Sequence, residues 1–262
     1  MSVQRSILDI AYCLRYAFTC WLNQDLAPQL VQAVFQETQE SLERSNLRVL
    51  RTRFVNGQVQ MLLSCRPEHS ASEVARLAKL RLAYYFSQHE VRSVIRRRFT
   101  LRAVGENTSK DLEHYLQLQV ERRGYVDEKF SASLSQYTRD FGYDLSQSFS
   151  TNHGQYWNDI HLVVSAQDQY CVTHSQIWDE LVGLAEDWFA VNGHILNSFS
   201  LLPDHLHLLI RPDVSVSPYD VGAGLISQLN SLRSMPNIYR PKFYVGTHGV
   251  YSMTAIRNKG SS

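Results

Sequence analysis

The sequence predicts an α+β protein made of two tandem ferredoxin-like (RRM-like) units, and an internal repeat is the first observation that indicates this. The segment RTRFVNGQVQMLLSCRP (residues 51–67) aligns with NSFSLLPDHLHLLIRP (residues 197–212), and both end in Arg-Pro. The second observation is that strand-like and helical patterns occur in the same order around both segments. A repeated order of elements indicates a duplicated structural unit.

The first strand and first helix of each unit are marked by a change of hydrophobic period. Strand-like patterns occur over CLRYAFTCW (13–21) and IHLVVSAQD (160–168). Amphipathic patterns then predict helices over residues 27–45 and 174–192. The two aligned segments follow these helices and supply the strand that carries each Arg-Pro pair.

The last strand and last helix of each unit are separated by a glycine turn. FTLRAVGENTSKDLEHYLQLQ (99–119) matches FYVGTHGVYSMTAIRNKG (243–260), with Gly105 opposite Gly249. In both segments Ser or Thr follows the turn and is a suitable N-cap for the helix. The complete order, strand–helix–strand–strand–helix–strand–helix, is that of a ferredoxin-like unit.

Length and composition are compatible with two such units. The chain has 262 residues, and 44% of them are hydrophobic, which is enough for packed cores and argues against disorder. We expect one unit in residues 1–122 and a second in residues 156–262. Residues 123–155, rich in Ser and Gln, are expected to form a linker that wraps a surface.

Cysteine usage and the lack of long apolar runs suggest the compartment. The four cysteines include no CxxC pair, which suits a reducing environment with buried thiols. No apolar run has the length of a membrane span, and the first residues lack a signal-peptide pattern. We therefore expect a soluble, cytoplasmic protein with no membrane partner.

The net charge of +1 hides a strongly basic region. Residues 46–123 contain 15 Lys and Arg against 7 Asp and Glu, a net charge of +8. Basic residues beside aromatic ones suit nucleic acid, because charge meets phosphates and flat rings meet bases. A solvated surface would explain the same charges. The candidate DNA-binding residues are Arg92, Arg96, Arg97, Arg98 and Arg102.

Two histidines stand out in the second unit. His205 and His207 are separated by one residue in a predicted strand, so both side chains leave the same face while Leu206 and Leu208 face the core. Neutral imidazoles are common metal ligands. The alternative is a solvated outer face with two incidental histidines.

Three neighbouring residues have less distinctive contexts. Asp204 directly precedes His205, so it could orient that imidazole, as carboxylates often do, or it could serve the turn after Pro203. His161 in the predicted strand is expected to be a surface residue, although it could instead support a metal ligand. His174 at the predicted helix start is expected to cap or solvate the helix end and not to bind metal.

PDHLHLLI (203–210) and YLQLQ (115–119), with the glycine-turn strands, resemble motifs of HUH-type single-strand DNA transposases of the IS200/IS605 and REP-associated tyrosine transposase kind. The resemblance implies two tandem ferredoxin-like HUH domains that act on single-stranded or hairpin DNA. It implies that Tyr115 attacks a phosphodiester to form a 5′-phosphotyrosine. It also implies Mg²⁺ or Mn²⁺ bound by His205, His207 and Gln119. Tyr115 and Gln119 are four residues apart and would share a helix face.

The motifs are divided between the two units. The first unit has glutamines, Gln58 and Gln60, opposite the histidines, and the second has Lys259 opposite Tyr115. The resemblance implies that homodimers of this family commonly combine the histidines of one subunit with the tyrosine helix of the other. We therefore expect a fused pseudo-dimer with one complete site and one abandoned site, which could associate further with itself.

Two alternatives remain open. The chain could be a domesticated DNA-binding protein that keeps the fold and the basic face but does not cleave. It could also be a metal enzyme of another class, which would need further histidine or carboxylate ligands at strand spacing. A covalent protein–DNA adduct would distinguish the first alternative from a transposase-like enzyme.

Overall fold

A computed structural model describes residues 8–167 and 174–249, and it is a mixed α+β structure with one large mixed sheet, as the coarse fold prediction states. The described strands are β1 (Asp9–Leu22), β2 (Leu47–Val55), β3 (Gln58–Cys65), β4 (Ile95–Ala103), β5 (Thr138–Asp140), β6 (Phe149–Ser150), β7 (Gly154–Trp157), β8 (Ile160–Ala166), β9 (Ile195–Leu201), β10 (His205–Arg211) and β11 (Tyr239–Thr247). The described helices are α1 (Pro28–Glu43), α2 (Ala71–Gln88), α3 (Ser109–Gln117), α4 (Gln119–Arg123), α5 (Glu128–Ser135), α6 (Ser175–Val191) and α7 (Pro218–Leu229).

The helices begin where the local sequence favours a start. The Ser70 side chain accepts a hydrogen bond from the Glu73 amide at 3.2 Å and caps α2. Ser217 caps α7 in the same way, and Pro218 occupies its first turn, where a missing amide costs no hydrogen bond. The predicted helix over 174–192 is α6, although the His174 side chain makes no capping hydrogen bond.

The strands are arranged alike on the two sides of the sheet. On one side the order is β2-β3-β1-β4, and on the other it is β9-β10-β8-β11. In each set the first and third strands along the chain are antiparallel neighbours in the middle, which is the order that two split strand–helix–strand crossovers produce. The last helix predicted for the second unit falls within residues 250–262 and lies outside the described residues.

Long strands join the two sides into one sheet. The first half of β1 is parallel to β11, with Cys13 opposite Gly246, and its second half is antiparallel to β3 and β4. On the other side β7 leads into β8 and is parallel to β4. The hydrophobic core is correspondingly continuous and includes Phe18 and Phe86 from the first half with Trp178 from the second.

The segment predicted as a linker, 123–155, adds elements to both edges of this sheet. Strand β5 pairs with β9, while β6 and β7 extend the sheet beyond β4. Its loop is held by Arg211, which donates to the carbonyl oxygens of Leu145 at 2.8 Å and Gln147 at 2.6 Å. The same guanidinium forms a buried bidentate pair with Asp159 at 2.7 and 2.9 Å. A linker rich in Ser and Gln is therefore ordered here by a buried charge from β10.

Within the described ranges, no helix combines the length and apolar character needed to cross a membrane.

Candidate functional site

The site is built on β10, which alternates between core and open face. Leu206 and Leu208 are fully buried, while His205 and His207 leave the opposite face with their ring centroids 4.7 Å apart. His207 is itself almost completely enclosed, because a helix and a neighbouring histidine cover it. The predicted strand geometry of the histidine pair is therefore observed, with one imidazole at the edge of the site and the other inside it.

Asp204 orients the outer imidazole. Its carboxylate lies 2.7 Å from Nδ1 of His205, and Nη2 of Arg123 lies 3.2 Å from the same nitrogen. Because an ionised carboxylate only accepts, the shorter contact is a hydrogen bond in the tautomer whose proton is on Nδ1. Arg123 at the end of α4 pairs with the same carboxylate at 3.2 Å. This arrangement leaves Nε2 of His205 as the free basic nitrogen, which is the usual way in which a carboxylate prepares a histidine to bind a metal.

His161 contacts the inner imidazole, so the preferred expectation of a surface residue is wrong and the contact matches the alternative of a residue that supports a metal ligand. The His161 and His207 rings stack with centroids 5.2 Å apart, and Nε2 of His161 lies 3.0 Å from Nδ1 of His207. His161 is on β8, the neighbour of β10, and stands opposite Leu209. The contact spans 46 residues of sequence, so only the strand register brings the two rings together.

The other nitrogen of His207 is buried without a partner among the described residues. That atom, Nε2, has no hydrogen bond, although an unsatisfied buried polar group is costly. Burial lowers the pKa of His207 to about 2, with smaller contributions from His161, His205 and Arg123. Burial also lowers the pKa values of His205 and, to about 4, of His161. All three imidazoles are consequently neutral at pH 7, the form that binds metals.

Tyr115 reaches this histidine pair from the first half of the chain. Helix α3 begins at a capping box, in which Thr108 and Asp111 exchange hydrogen bonds of 3.0 and 2.9 Å. The Tyr115 and His207 rings are nearly perpendicular with centroids 5.7 Å apart, and the Arg122 guanidinium carbon lies 5.4 Å from the centroid of the tyrosine ring. The predicted tyrosine therefore lies against the inner histidine of the second half.

Apolar contacts hold α3 on the second half of the sheet. Leu112 and Leu116 of the helix pack with Leu209 of β10 in a small buried cluster that Tyr115 joins. Each fully buried leucine of this kind stabilises the packing by roughly 2 kcal/mol. Asn197 of β9 adds a hydrogen bond of 3.1 Å to Glu113. These contacts determine which histidines Tyr115 meets.

The two glycine turns cross each other, which is how α3 passes from one half to the other. The Gly105 amide donates to the Gly249 carbonyl at 3.1 Å, and Thr247 bonds through its hydroxyl to the Val104 carbonyl at 2.7 Å. A Cβ at Gly105 would lie 2.3 Å from the Thr247 carbonyl oxygen and 2.9 Å from Cα of His248. Only glycine permits so close an approach of two backbones.

Gln119 lies near Tyr115 but in a different local geometry from the one expected. A one-residue interruption at Leu118 separates α3 from α4, so Tyr115 and Gln119 are not on one continuous helix. Gln119 is buried, and its Nε2 donates to the Tyr115 carbonyl at 3.2 Å. The amide thus supports the backbone that carries Tyr115, and its oxygen is the atom that remains for a ligand.

The candidate DNA-binding arginines lie mostly on β4, and that strand places them on two opposite faces. Arg96, Arg98 and Arg102 alternate on one face of β4, while Arg97 leaves the other face. Arg102 lies over the Trp157 ring at 4.1 Å, which occupies its guanidinium. Arg92 precedes the strand and is exposed. The adjacent arginines Arg96, Arg97 and Arg98 therefore lie on two faces of β4 and do not form one surface.

The residues predicted for the abandoned site are described only in part. Nε2 of Gln60 donates to Oε1 of Gln58 at 3.0 Å, so the two amides bond to each other on β3. Lys259 lies outside the described residues.

The roles of Arg123 and of the contact between His161 and His207 were not predicted from the sequence, for two different reasons. Arg123 lies four residues after the last residue of YLQLQ, so the Arg122-Arg123 pair near that motif was an available signal. The position of His161 against His207 depends on the pairing of β8 with β10, for which the sequence carries no local signal.

The two imidazoles fit a divalent cation, and the third predicted ligand fits less well. Nε2 of His207 is buried without a partner among the described residues, and Nε2 of His205 lies opposite the nitrogen that contacts Asp204. Gln119 uses its nitrogen to donate to the Tyr115 carbonyl, so only its oxygen is left as a ligand. Among residues 8–167 and 174–249, no group of three or more His, Cys, Asp or Glu is arranged to hold a metal. Any cation here would depend on two histidines, an amide oxygen and external oxygen ligands.

Comparisons with known proteins give little beyond this geometry. No family model matches the chain, and no curated protein is similar to it. One solved structure, a candidate transposase from Deinococcus radiodurans R1, matches 47% of this chain and 92% of its own at 17% identity and a TM-score of 0.32. A bacterial light-regulated adenylyl cyclase matches 83% of this chain and 65% of its own at 8% identity and a TM-score of 0.23. At these TM-scores neither likeness decides the family of the chain.

Proposed function

We propose that this chain nicks single-stranded or hairpin DNA and transfers the cut strand through a phosphotyrosine at Tyr115. In this proposal the chain is a fused pseudo-dimer of two ferredoxin-like HUH domains with one composite site. The observation that carries it is the approach of Tyr115, from the first half, to His207 of the second half at 5.7 Å between ring centroids. The matching strand orders on the two sides of the sheet support the proposed duplication of one domain.

The residues would divide the chemistry as follows. The Tyr115 phenol loses its proton and its oxygen forms a bond to phosphorus, while the bond from phosphorus to the 3′-oxygen breaks and that oxygen takes up a proton. Arg122, close to the tyrosine ring, supplies positive charge where a phosphate would approach. The bond energy kept in the phosphotyrosine allows a later 3′-hydroxyl to reverse the step.

His205 and His207 would hold Mg²⁺ or Mn²⁺, with the Gln119 oxygen as a third ligand. When bound, the cation polarises the scissile phosphate and stabilises charge on the leaving oxygen. The protein contributes neutral imidazoles, kept neutral by burial, and a carboxylate on Asp204 that fixes the orientation of His205. Imidazole also suits zinc, so the preferred metal must be determined by experiment.

The experiment is a covalent-adduct assay with a randomised pool of labelled hairpin DNA that the protein is first shown to bind. With Mg²⁺ or Mn²⁺, a protein–DNA band should persist on a denaturing gel. Tyr115→Phe and His207→Ala should lose the band. Two matched controls should keep it: Tyr143→Phe, which changes an exposed tyrosine of the 123–155 segment, and Gln58→Ala, which changes the abandoned site.

A non-catalytic DNA-binding protein is the second candidate, and it is favoured by the lack, within the described ranges, of any group of three or more His, Cys, Asp or Glu arranged to hold a metal. A protein of that kind would bind the pool and form no adduct with either metal. An adduct that survives His207→Ala would contradict the composite site itself.

A further inference from the structure

A cavity lies toward the opposite end of the sheet from the histidines. It has a volume of about 500 Å³ and opens between β4 and the turn that joins β6 to β7. Trp21, Arg96, Arg98, Thr100 and Gln155 line its sheet side. We call it the β4–β7 cavity. None of the residues with a predicted catalytic or metal-binding role contributes to it.

The β4–β7 cavity opens on the same face of the sheet as the histidine pair. Strand registers connect the two: His161 stands opposite Gly246, Gly246 opposite Cys13, and Ala17 of the same strand opposite Arg102. Alternation along β4 then places Arg98 and Arg96 on that face. Four strand spacings separate β10 from β4, so the lateral distance is about 19 Å.

The charges in this cavity are uncompensated. Arg96 and Arg98 are exposed and make no ion pair with any residue of the described ranges, and the lining contains no Asp or Glu. Nε of Arg96 donates to the Leu22 carbonyl at 3.2 Å, which directs its remaining guanidinium donors outward. Two neighbouring guanidinium groups without a carboxylate repel each other, and a bound anion relieves that repulsion.

The rest of the lining suits a base. Trp21 is half-buried and supplies a flat aromatic surface, on which bases of any sequence stack. Gln155 and Asn152 add amide donors and acceptors for base edges. The volume is within the usual range for small-molecule sites. Arginines that can bind a phosphate, beside an aromatic ring and amides that can bind a base, match the parts of a nucleotide. Its base must be unpaired to reach Trp21.

We propose that the β4–β7 cavity binds an unpaired nucleotide of a single-stranded nucleic acid, as a site separate from the His207–Tyr115 centre. The two sites are also offset along β1, because His207 aligns through β8 and β11 with Ala11, whereas Thr100, two residues from Arg98, is opposite Thr19. An offset of about ten residues is roughly 33 Å, so a strand that also reached that centre would have to span about 38 Å, or roughly eleven stacked nucleotides at about 3.4 Å each. Binding at the cavity does not require that Tyr115 cut the strand, so it goes beyond the function proposed above.

The test measures binding in a Tyr115→Phe background, where no adduct can interfere. Fluorescence anisotropy follows labelled single strands of roughly 16 nucleotides, the upper end of usual site sizes, as DNA and as RNA of the same sequence. Arg98→Ala should weaken binding and reduce the slope of log affinity against log salt by about 0.7, the contribution of one phosphate contact on a single strand. Trp21→Leu should weaken binding by about 5- to 150-fold, whereas Trp21→Phe should restore most of it.

The matched control is Arg44→Ala, an exposed arginine at the end of α1 outside the cavity. It should leave the salt slope unchanged, and thermal melting should show that every variant is folded. The proposal is overturned if folded Arg98→Ala behaves like Arg44→Ala, or if Trp21→Leu binds as tightly as the parent. Loss of adduct formation in the earlier assay, with these effects retained, would refute only the nicking function.

Discussion

Replacing Gly105 by alanine tests how the first half of the chain delivers Tyr115 to the histidines. The new Cβ would lie 2.3 Å from the Thr247 carbonyl oxygen, whereas ordinary contacts begin near 3.4 Å. The neighbouring atoms are backbone on a paired strand, so they cannot rotate away. The turn that carries α3 must retreat by roughly 1 Å, and overpacking of this kind costs about 1–3 kcal/mol.

The consequence for the site follows from the same displacement. A shift of about 1 Å in a catalytic group can lower a reaction rate by roughly 100-fold, so adduct formation by the folded protein should fall by about that factor. Urea denaturation measures the loss in free energy of unfolding. Hydrogen exchange over residues 106–123 measures whether α3 loosens from β9 and β10.

Gly183 provides the matched control, because a Cβ there meets nothing within 4 Å and its backbone is helical. Gly183→Ala should keep α3 protected and raise stability by up to about 1 kcal/mol through helix propensity. If Gly105→Ala is as stable as the parent and α3 keeps its protection, the close crossing of the two turns does not control the position of Tyr115.

Two further predictions concern the buried histidines. His161→Phe removes the partner of His207 Nδ1, so the affinity for Mn²⁺ in isothermal titration should fall by about 10- to 100-fold; unchanged affinity would show that His161 does not orient His207. Burial lowers the pKa of His248 from 6.5 to about 4. Between these two values the imidazole is protonated in the unfolded chain and neutral in the folded chain, so the free energy of unfolding falls as the pH drops below 6.5. Relative to His248→Gln, the parent should lose about 2 kcal/mol of unfolding free energy between pH 7 and pH 5. Parallel pH profiles in urea denaturation would contradict this.

Local features of the site could be read from sequence because they depend on backbone periodicity. The alternation in HLHLLI was enough to place His205 and His207 on one face and Leu206 and Leu208 in the core. Thr108 and Asp111, three residues apart, are a capping box that starts α3 where the sequence expects a helix. The same periodicity places Arg97 on the opposite face of β4 from Arg96 and Arg98, so these arginines do not form a single basic surface.

The mixed α+β class, the order of elements within the two aligned segments and the faces on which candidate residues lie could be predicted from the sequence, because each follows from neighbours within a few positions. The helix and strands within residues 123–155 could not, and neither could the crossing of the turns at Gly105 and Gly249, the packing of Leu116 on Leu209 or the stacking of His161 on His207. These contacts join residues far apart in the chain, and strand register with close backbone approach selects them. Hydrophobic period specifies that a face is buried, but not which distant element buries it.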